Sequence, residues 1–243
     1  MTEVLWFKEM SSNPVRKYDE LLATLDRRFQ SVHARYPYDI ACGDGCAACC
    51  HGLFDVSLPD ARRIVRGYAA LPPPLQDAVA ERALRLQDRI LGKLPELSSP
   101  YLLDASDQNV QDRIDAMTEL MPEARCIFLD DGDRCLIYDD RPMACRLEGL
   151  PMIDRHDGLF DDWCEKNFKE GIAPETSSEL MAELQLDYYA MQELEQMAAM
   201  RLVRLFRDSH PTGKEAPTVL IPSIIAAYAD FQRLALPSVL GTS

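Results

Sequence analysis

The chain lacks a long apolar run and a basic start followed by an apolar segment. Its longest apolar stretch, Val219 to Ala229, is interrupted by Pro222 and Ser223 and is too short to cross a bilayer. The N-terminus, Met1-Thr-Glu-Val-Leu-Trp-Phe-Lys, has none of the features of a secretory signal. We therefore expect a cytoplasmic location, where thiols stay reduced.

Basic residues are scarce compared with acidic ones. The 243 residues include 26 Lys and Arg against 40 Asp and Glu, which gives a net charge of −14. Nucleic-acid binding needs clustered Lys and Arg, and anionic membrane surfaces attract the same residues. We therefore predict no nucleic-acid partner and no membrane partner. The 47% hydrophobic and 27% charged residues are typical of a globular protein.

Common catalytic signatures are also missing. The sequence shows no Ser–His–Asp pattern, no phosphate-binding loop and no dinucleotide fingerprint. It has instead eight cysteines in two blocks. The first block reads Cys42-Gly-Asp-Gly-Cys46-Ala-Ala-Cys49-Cys50, and the second spreads Cys126, Cys135, Cys145 and Cys164 over 39 residues. Clustered thiols in a reducing compartment favour metal binding over disulfides, so all eight are candidate metal ligands.

The thiols suit either of two metal groups. Zinc in a structural site takes four ligands, so that eight thiols could hold two zinc ions, and an iron–sulfur cluster commonly takes four cysteines. His51 follows the cysteine pair and is either a further ligand or a surface residue. Arg141 and Arg146 flank Cys145, where they either balance thiolate charge or form ion pairs with Asp139 or Asp140. The sequence leaves these alternatives open.

Hydrophobic periodicity and capping signals predict a mainly α fold. Leu21, Leu25, Phe29 and Val32 indicate a first helix over about 14–33. Capping boxes at Ser57-Leu-Pro-Asp60 and Thr176-Ser-Ser-Glu179 predict helices over about 57–70 and 176–207. Further helices are expected around Val79 to Ile90, after Ser106 as the cap, and over about 222–234.

A small hairpin is expected within the second cysteine block. Residues 127–129 and 136–138 are strand-like, and the turn signal Asp130-Asp-Gly-Asp133 lies between them. From Arg141 to Trp163 the sequence predicts irregular structure. The predicted fold is one α-rich domain over 1–243, with a small β-hairpin element around a cysteine-ligated metal site at 40–165.

The constellation resembles a known family. Cys42-x3-Cys46-x2-Cys49-Cys50, then Cys126-Ile-Phe-Leu, then Arg134-Cys135-Leu-Ile-Tyr138-Asp-Asp-Arg141-Pro142-Met-Ala-Cys145-Arg146 look like the YkgJ-type cysteine-cluster family, also called CxxCxxCC. The resemblance covers roughly residues 40–165 and implies a domain that chelates zinc or iron. Flagellin lysine methylases carry a similar cluster, which implies by analogy that an enzymatic role is open.

Three functions follow from these observations. The first is a metal-binding protein that ligates an iron–sulfur cluster or zinc through both cysteine blocks, with its biochemical role unassigned. The second is a cluster-dependent redox or group-transfer enzyme, similar to a methyltransferase, acting on a protein substrate. The third is a structural zinc module that binds a protein partner. The sequence does not decide whether the protein is an enzyme.

Overall fold

The computed structural model describes residues 13–43, 45–53, 55–104, 106–121, 124–149, 152–154, 158–160, 164–172, 188–209 and 216–236. Helices dominate these residues, and the sheets are two separate two-stranded antiparallel pairs. The prediction of a mainly α fold with a small β element is therefore confirmed. No helix within these ranges combines the length and the hydropathy needed to cross a membrane.

The helices follow one another along the chain with short strands between them. The α-helices are α1 Pro14–Arg35, α2 Leu58–Ala70, α3 Pro73–Leu91, α4 Gln108–Leu120, α5 Met143–Leu147, α6 Tyr188–Leu202, α7 Ile221–Ala226 and α8 Tyr228–Phe231. Three 3₁₀ segments cover Tyr138–Asp140, Val203–Ser209 and Gln232–Ala235.

The strands are β1 Asp55–Ser57, β2 Met152–Asp154, β3 Gly158–Phe160 and β4 Thr218–Leu220. β1 pairs with β4, so that Val56 lies opposite Val219. β2 pairs with β3, so that Ile153 lies opposite Leu159. The β1–β4 pair joins the start of α2 to the start of α7, although more than 150 residues separate the two strands.

Helix α1 forms where the periodicity predicts it. Its buried side chains recur at helical spacing and comprise Val15, Tyr18, Leu22, Leu25 and Val32. Asn13 precedes it, and its side-chain oxygen accepts the N–H of Arg16 at 3.3 Å. Proline occupies the first helical position, where its missing N–H costs no hydrogen bond. The apolar face of α1 packs against α6.

Helix α2 lies at the centre of the core and is buried for most of its length. Its Gly67 allows the 3₁₀ turn to approach closely, because a Cβ at this position would lie 2.9 Å from the Cβ of Asp140 and 3.0 Å from that of Ile137. Any larger side chain would force the two segments apart. In the sequence this turn lies between two cysteines of the second block, Cys135 and Cys145.

Two local predictions about the second block are wrong. The expected hairpin is present only as a β-bridge between Leu129 and Cys135 and a hydrogen bond from the N–H of Leu136 to the carbonyl of Phe128 at 2.9 Å, and residues 127–129 and 136–138 are not strands. Tyr138 begins a 3₁₀ turn, because the chain bends there to pack against α2. The 141–163 segment is also less irregular than expected, since its described residues include the short helix α5 and the strands β2 and β3.

Other boundaries shift for identifiable reasons. The helix expected after Ser106 begins at Gln108, where the Asp107 carboxylate accepts the N–H of Asn109 at 2.9 Å, and Ser106 bonds to Asp104 instead. The cap expected at 176–179 lies outside the described residues. The helix predicted at 222–234 is divided at Ala227, where the backbone leaves helical geometry between α7 and α8.

Candidate metal centre

The first cysteine block is a loop of two tight turns. The N–H of Cys46 bonds to the carbonyl of Gly43 at 3.1 Å, and the N–H of Cys50 bonds to that of Ala47 at 3.0 Å. Gly45 has φ +82°, a conformation that glycine adopts without a steric penalty. These turns bring the four thiols of the loop towards one side of α1 and the second block.

Backbone hydrogen bonds connect the two cysteine blocks. The N–H of Cys126 donates to the carbonyl of Cys50 at 2.8 Å. His51, which follows Cys50, forms a β-bridge with Arg125, which precedes Cys126. The β-bridge between Leu129 and Cys135 then brings the chain back towards Cys126. Cys50, Cys126 and Cys135 are thus held together by main-chain contacts that need no metal.

Cys145 lies on the short helix α5, whose position depends on a buried carboxylate. The side chain of Asp60 in α2 accepts the N–H of Met143 at 3.0 Å. This carboxylate bonds the first turn of α5, where negative charge is favourable. Asp60 therefore fixes the backbone two residues before the Cys145 thiol.

Cys42 and Cys164 are brought together by Asn167, which is only 1% exposed. The amide nitrogen of Asn167 donates to the Sγ of Cys42 at 3.1 Å and also to the carbonyl of Gly149. Its amide oxygen accepts the N–H of Ala41 at 2.7 Å. A Cβ on Gly149 would lie 2.7 Å from the Cys42 Sγ, so that only glycine leaves this thiol in place.

Seven of the eight cysteines line one cavity of about 110 Å³. Cys164 is not among the lining residues, but its thiol is close enough to Cys42 to raise that residue's pKa. The lining cysteines are Cys42, Cys46, Cys49, Cys50, Cys126, Cys135 and Cys145. The cavity has room for several water-sized groups, more than one bare metal ion requires.

Burial disfavours the thiolate form of Cys126, Cys135 and Cys145 in the absence of a cation. It raises the pKa of Cys126 to about 11 and is also the largest cause of the raised pKa of Cys135 and of Cys145. At Cys49 the raised pKa comes first from a hydrogen bond with Cys50 and then from burial. Since the thiolate is the ligating form, a metal bound here would release protons.

Two buried arginines belong to the cavity wall. Arg141 and Arg146 line it, and both donate to the carboxylate of Asp26 in α1, with 3.2 Å between Arg141 Nη2 and Oδ1. The predicted ion pair with Asp139 or Asp140 is therefore wrong, because the acidic partner of both arginines is Asp26. Arg146 bonds to Asp139 through that residue's backbone carbonyl, at 2.8 Å. Arg141 also lowers the pKa of Cys135, in opposition to burial.

His51 is exposed and is not among the residues that line the cavity. All eight cysteines are free thiols. Within the described part of the chain, no three His, Cys, Asp or Glu side chains form a ready-made ligand group. A metal would therefore have to draw thiols inward by side-chain rotation. The donor set fits a soft metal, because it offers many sulfur atoms from several segments around one cavity.

A buried acidic network lies next to α5 and was not indicated by any sequence motif. The hydroxyls of Tyr18 and Ser57 donate to Glu195 Oε1 at 3.0 and 2.7 Å. Ser57 therefore makes no capping bond, and Asp60 bonds Met143 instead of its own helix. Burial is the largest cause of the raised pKa of Asp60, about 7, and of the raised pKa of Glu195.

Asp60 should make stability depend on pH. Its pKa of about 7 in the folded protein exceeds the value of about 4 for a solvated carboxyl. Between these values the folded state holds more protons than the unfolded state, so that the free energy of unfolding falls as pH rises from about 4 to about 7. Asp60→Asn should flatten this dependence in denaturant titrations at several pH values. Glu195 remains, so part of the slope should persist.

The exposed Asp131 provides the control. Asp131→Asn should leave the wild-type slope unchanged. An identical slope in wild-type protein and in the Asp60→Asn variant would contradict the proposed role of the buried carboxyl.

Comparison with protein families finds a match over the cysteine-rich part of the chain. The family model described as "CxxCxxCC: Putative zinc- or iron-chelating domain" matches residues 41–165. The chain belongs to the CxxCxxCC family. The matched segment begins one residue before Cys42 and ends one residue after Cys164, so that it includes all eight thiols. No curated protein and no solved structure matches the chain.

CxxCxxCC membership confirms the resemblance derived from the two cysteine motifs. It supports metal chelation in general terms, as zinc or iron. Several residues that organise the centre lie outside the matched segment, namely Tyr18, Asp26, Asn167 and Glu195. Asn167 had no sequence signal, because a single Asn beyond the last cysteine belongs to no ligand spacing.

Proposed function

We propose that the protein binds a soft metal, as zinc ions or as an iron–sulfur cluster, through the thiolates of both cysteine blocks. One observation carries this proposal: thiols from 42–50, 126–135 and 145 line a single cavity. All eight cysteines, including Cys164 beside Cys42, are proposed ligands. Free thiols at this density are otherwise open to oxidation.

The surrounding residues would stabilise several thiolates at once. Arg141 lowers the pKa of Cys135, and Arg82 lowers that of Cys126, in both cases against the larger effect of burial. The Asn167 amide donates to Cys42, which favours the thiolate form of that residue. Zinc would supply a rigid crosslink at such a site, whereas an iron–sulfur cluster would supply electron transfer.

The metal would also link segments of the fold. The 41–50 loop, the 126–135 segment and α5 have few regular hydrogen bonds of their own, and they meet at the cavity. Metal-binding energy would therefore contribute to folding energy. In this proposal residues 40–165 form the metal-binding core of one domain, and the remaining helices enclose it.

An enzymatic role is the second candidate, and the exposure of Cys49 favours it. This thiol lines the cavity and is open to solvent, and Tyr138 on the same cavity is 46% exposed. A protein substrate could therefore reach the cavity from outside. The identity of the metal discriminates between a redox or group-transfer enzyme and a structural zinc module.

The test is elemental analysis with an absorption spectrum, on protein purified without oxygen and without an affinity metal. One or two zinc ions per chain and no visible band would indicate closed thiolate sites and direct attention to partner proteins. About four iron atoms and a broad band near ~400 nm would indicate a cluster and direct attention to redox and methyl-transfer assays. Protein that holds neither metal would contradict the proposal.

A further inference from the structure

We propose that Asn167 is a positioning residue for the metal centre, and that Asn167 and Phe168 form a clamp that holds the Cys42 thiol in place in the absence of metal. The proposal rests on the proposed function, in which Cys42 is a ligand. It goes beyond that function by giving a role to two residues that follow the matched segment 41–165.

The side chain of Asn167 bonds to three points on two separate segments. Its amide nitrogen donates to the Cys42 Sγ at 3.1 Å and to the carbonyl of Gly149. Its amide oxygen accepts the N–H of Ala41 at 2.7 Å. The bonds to Ala41 and Cys42 fix both the backbone and the thiol of adjacent residues. Asn167 is almost fully buried, so that water does not compete for these bonds.

The backbone around Asn167 is itself fixed. The N–H of Asn167 donates to the carbonyl of Cys164 at 2.8 Å, and that of Phe168 donates to the carbonyl of Asp39 at 2.7 Å. Phe168 has φ +46°, in the left-handed region that a bulky residue rarely adopts. Such a conformation persists only where the surrounding contacts determine it. The segment that carries Asn167 is therefore held firmly by its neighbours.

Phe168 anchors the clamp in a small apolar cluster near the end of α1. Its buried ring packs with Val32 and Ile40 and lies 6.0 Å from the ring of Tyr36 in an edge-to-face arrangement. Cys42 packs against the same cluster. The clamp and the thiol that it holds therefore share one apolar support.

Gly149 closes another side of the Cys42 thiol. A Cβ at this position would lie 2.7 Å from the Cys42 Sγ but 3.5 Å from the Asn167 amide nitrogen, which is an ordinary contact. The sulfur is thus enclosed between the Asn167 amide and the backbone of Gly149. None of these contacts involves a metal. A ligand that is already in place loses less conformational freedom when it binds, and this favours affinity.

The bond from Asn167 to Cys42 remains possible after a metal has bound. A thiolate ligand retains lone pairs that accept hydrogen bonds, and residues that orient a ligand contribute about 10–100-fold to metal affinity. The Asn167 amide is neutral, so that its contribution comes from orientation and hydrogen bonding and not from net charge.

The first test is the zinc affinity of the metal-free full chain, measured by competition with a chelator. Asn167→Leu keeps the branched shape of the side chain and removes its hydrogen bonds, and it should weaken zinc binding about 10–100-fold. Asn109→Leu changes an exposed asparagine in α4 and should keep the wild-type affinity. If the chain takes an iron–sulfur cluster instead of zinc, the same comparison is made on the rate at which a chelator removes the iron.

A double-mutant cycle separates the positioning of Cys42 from a general structural role. In a Cys42→Ser background, Asn167→Leu should change the affinity by less than about twofold, because the ligand through which Asn167 acts is gone. Gly149→Ala should displace the Cys42 thiol and also weaken binding. A Cβ at Gly43 would meet no atom within 4 Å, so that Gly43→Ala should not. If circular dichroism shows that Asn167→Leu is unfolded, Gly149→Ala takes its place in the cycle.

Hydrogen exchange tests the clamp without metal. The Ala41 amide, which bonds to the Asn167 oxygen, should be protected in the metal-free wild-type protein and should exchange faster in Asn167→Leu. Protection of Ala41 only after metal binding would overturn the clamp and leave the proposed function intact. Wild-type affinity in Asn167→Leu, or equal losses of affinity in both backgrounds of the cycle, would do the same. A chain with a protected Ala41 amide that binds neither zinc nor iron would instead contradict the proposed function itself.

Discussion

Replacing Cys46 with alanine should lower metal content and melting temperature together. If free metal exceeds the dissociation constant about 1,000-fold, a site stabilises the folded state by about 4 kcal/mol. For a chain of 243 residues, 1 kcal/mol corresponds to about 2–4 °C, so that loss of the metal that Cys46 ligates should lower the melting temperature by about 8–16 °C. Metal analysis and calorimetry on the same samples would measure both changes.

Removing the metal distinguishes ligation from packing. After treatment with a chelator, the Cys46→Ala variant and the wild-type protein should melt at nearly the same temperature, because the lost ligand no longer matters. Ala48→Ser changes an exposed residue of the same loop and should match the wild-type protein in both conditions. If the difference between wild-type protein and Cys46→Ala persists without metal, Cys46 contributes through packing and not as a ligand.

Replacing Arg146 with methionine should destabilise the protein by about 3 kcal/mol. The Arg146 side chain is only 1% exposed and donates to Asp26 and to the carbonyls of Arg141 and Asp139, at 3.1 and 2.8 Å for the carbonyls. Methionine would fill much of the volume but leave the two carbonyls without this donor, and Asp26 would keep only Arg141. Because Asp26 is 33% exposed, water compensates part of the loss, so we expect the lower end of the range for buried pairs.

Arg134→Met is the matched control within the same cysteine block. Arg134 also pairs with a carboxylate, Asp130, at 3.0 Å, but its side chain is 61% exposed. Exposed pairs contribute little, and we expect a change below about 1 kcal/mol. Denaturant unfolding of both variants would measure the difference, and similar losses in the two would contradict a special role for the buried Arg146.

Local sequence signals predicted the elements that depend on neighbouring residues. The apolar spacing of Leu21, Leu25 and Val32 placed α1 within two residues of its observed end at Arg35. The cysteine spacing and the segment around Arg141 and Cys145 predicted the CxxCxxCC family, which the family comparison confirms. These signals are contained within short windows, so they can be interpreted without knowledge of the fold.

Predictions failed where a distant partner competes for a side chain. The helix that Ser57 and Asp60 signal does form as α2, but the capping bonds do not, because the folded chain places Glu195 beside Ser57 and the N–H of Met143 beside Asp60. Residues 136–138 have strand character, but Gly67 allows α2 to pack so closely that a 3₁₀ turn forms. Both outcomes depend on packing between segments far apart in sequence.

By itself the sequence determined the helical character of the fold, the two thiol blocks and the family, because periodicity and spacing are local properties. Only the tertiary structure decided which thiols face one another, that Arg141 and Arg146 pair with Asp26, and that Asn167 holds Cys42 beside Cys164. The Asp26 and Asn167 contacts join residues more than 100 positions apart. They form only when helix packing buries α2 and brings the separate loops to one cavity.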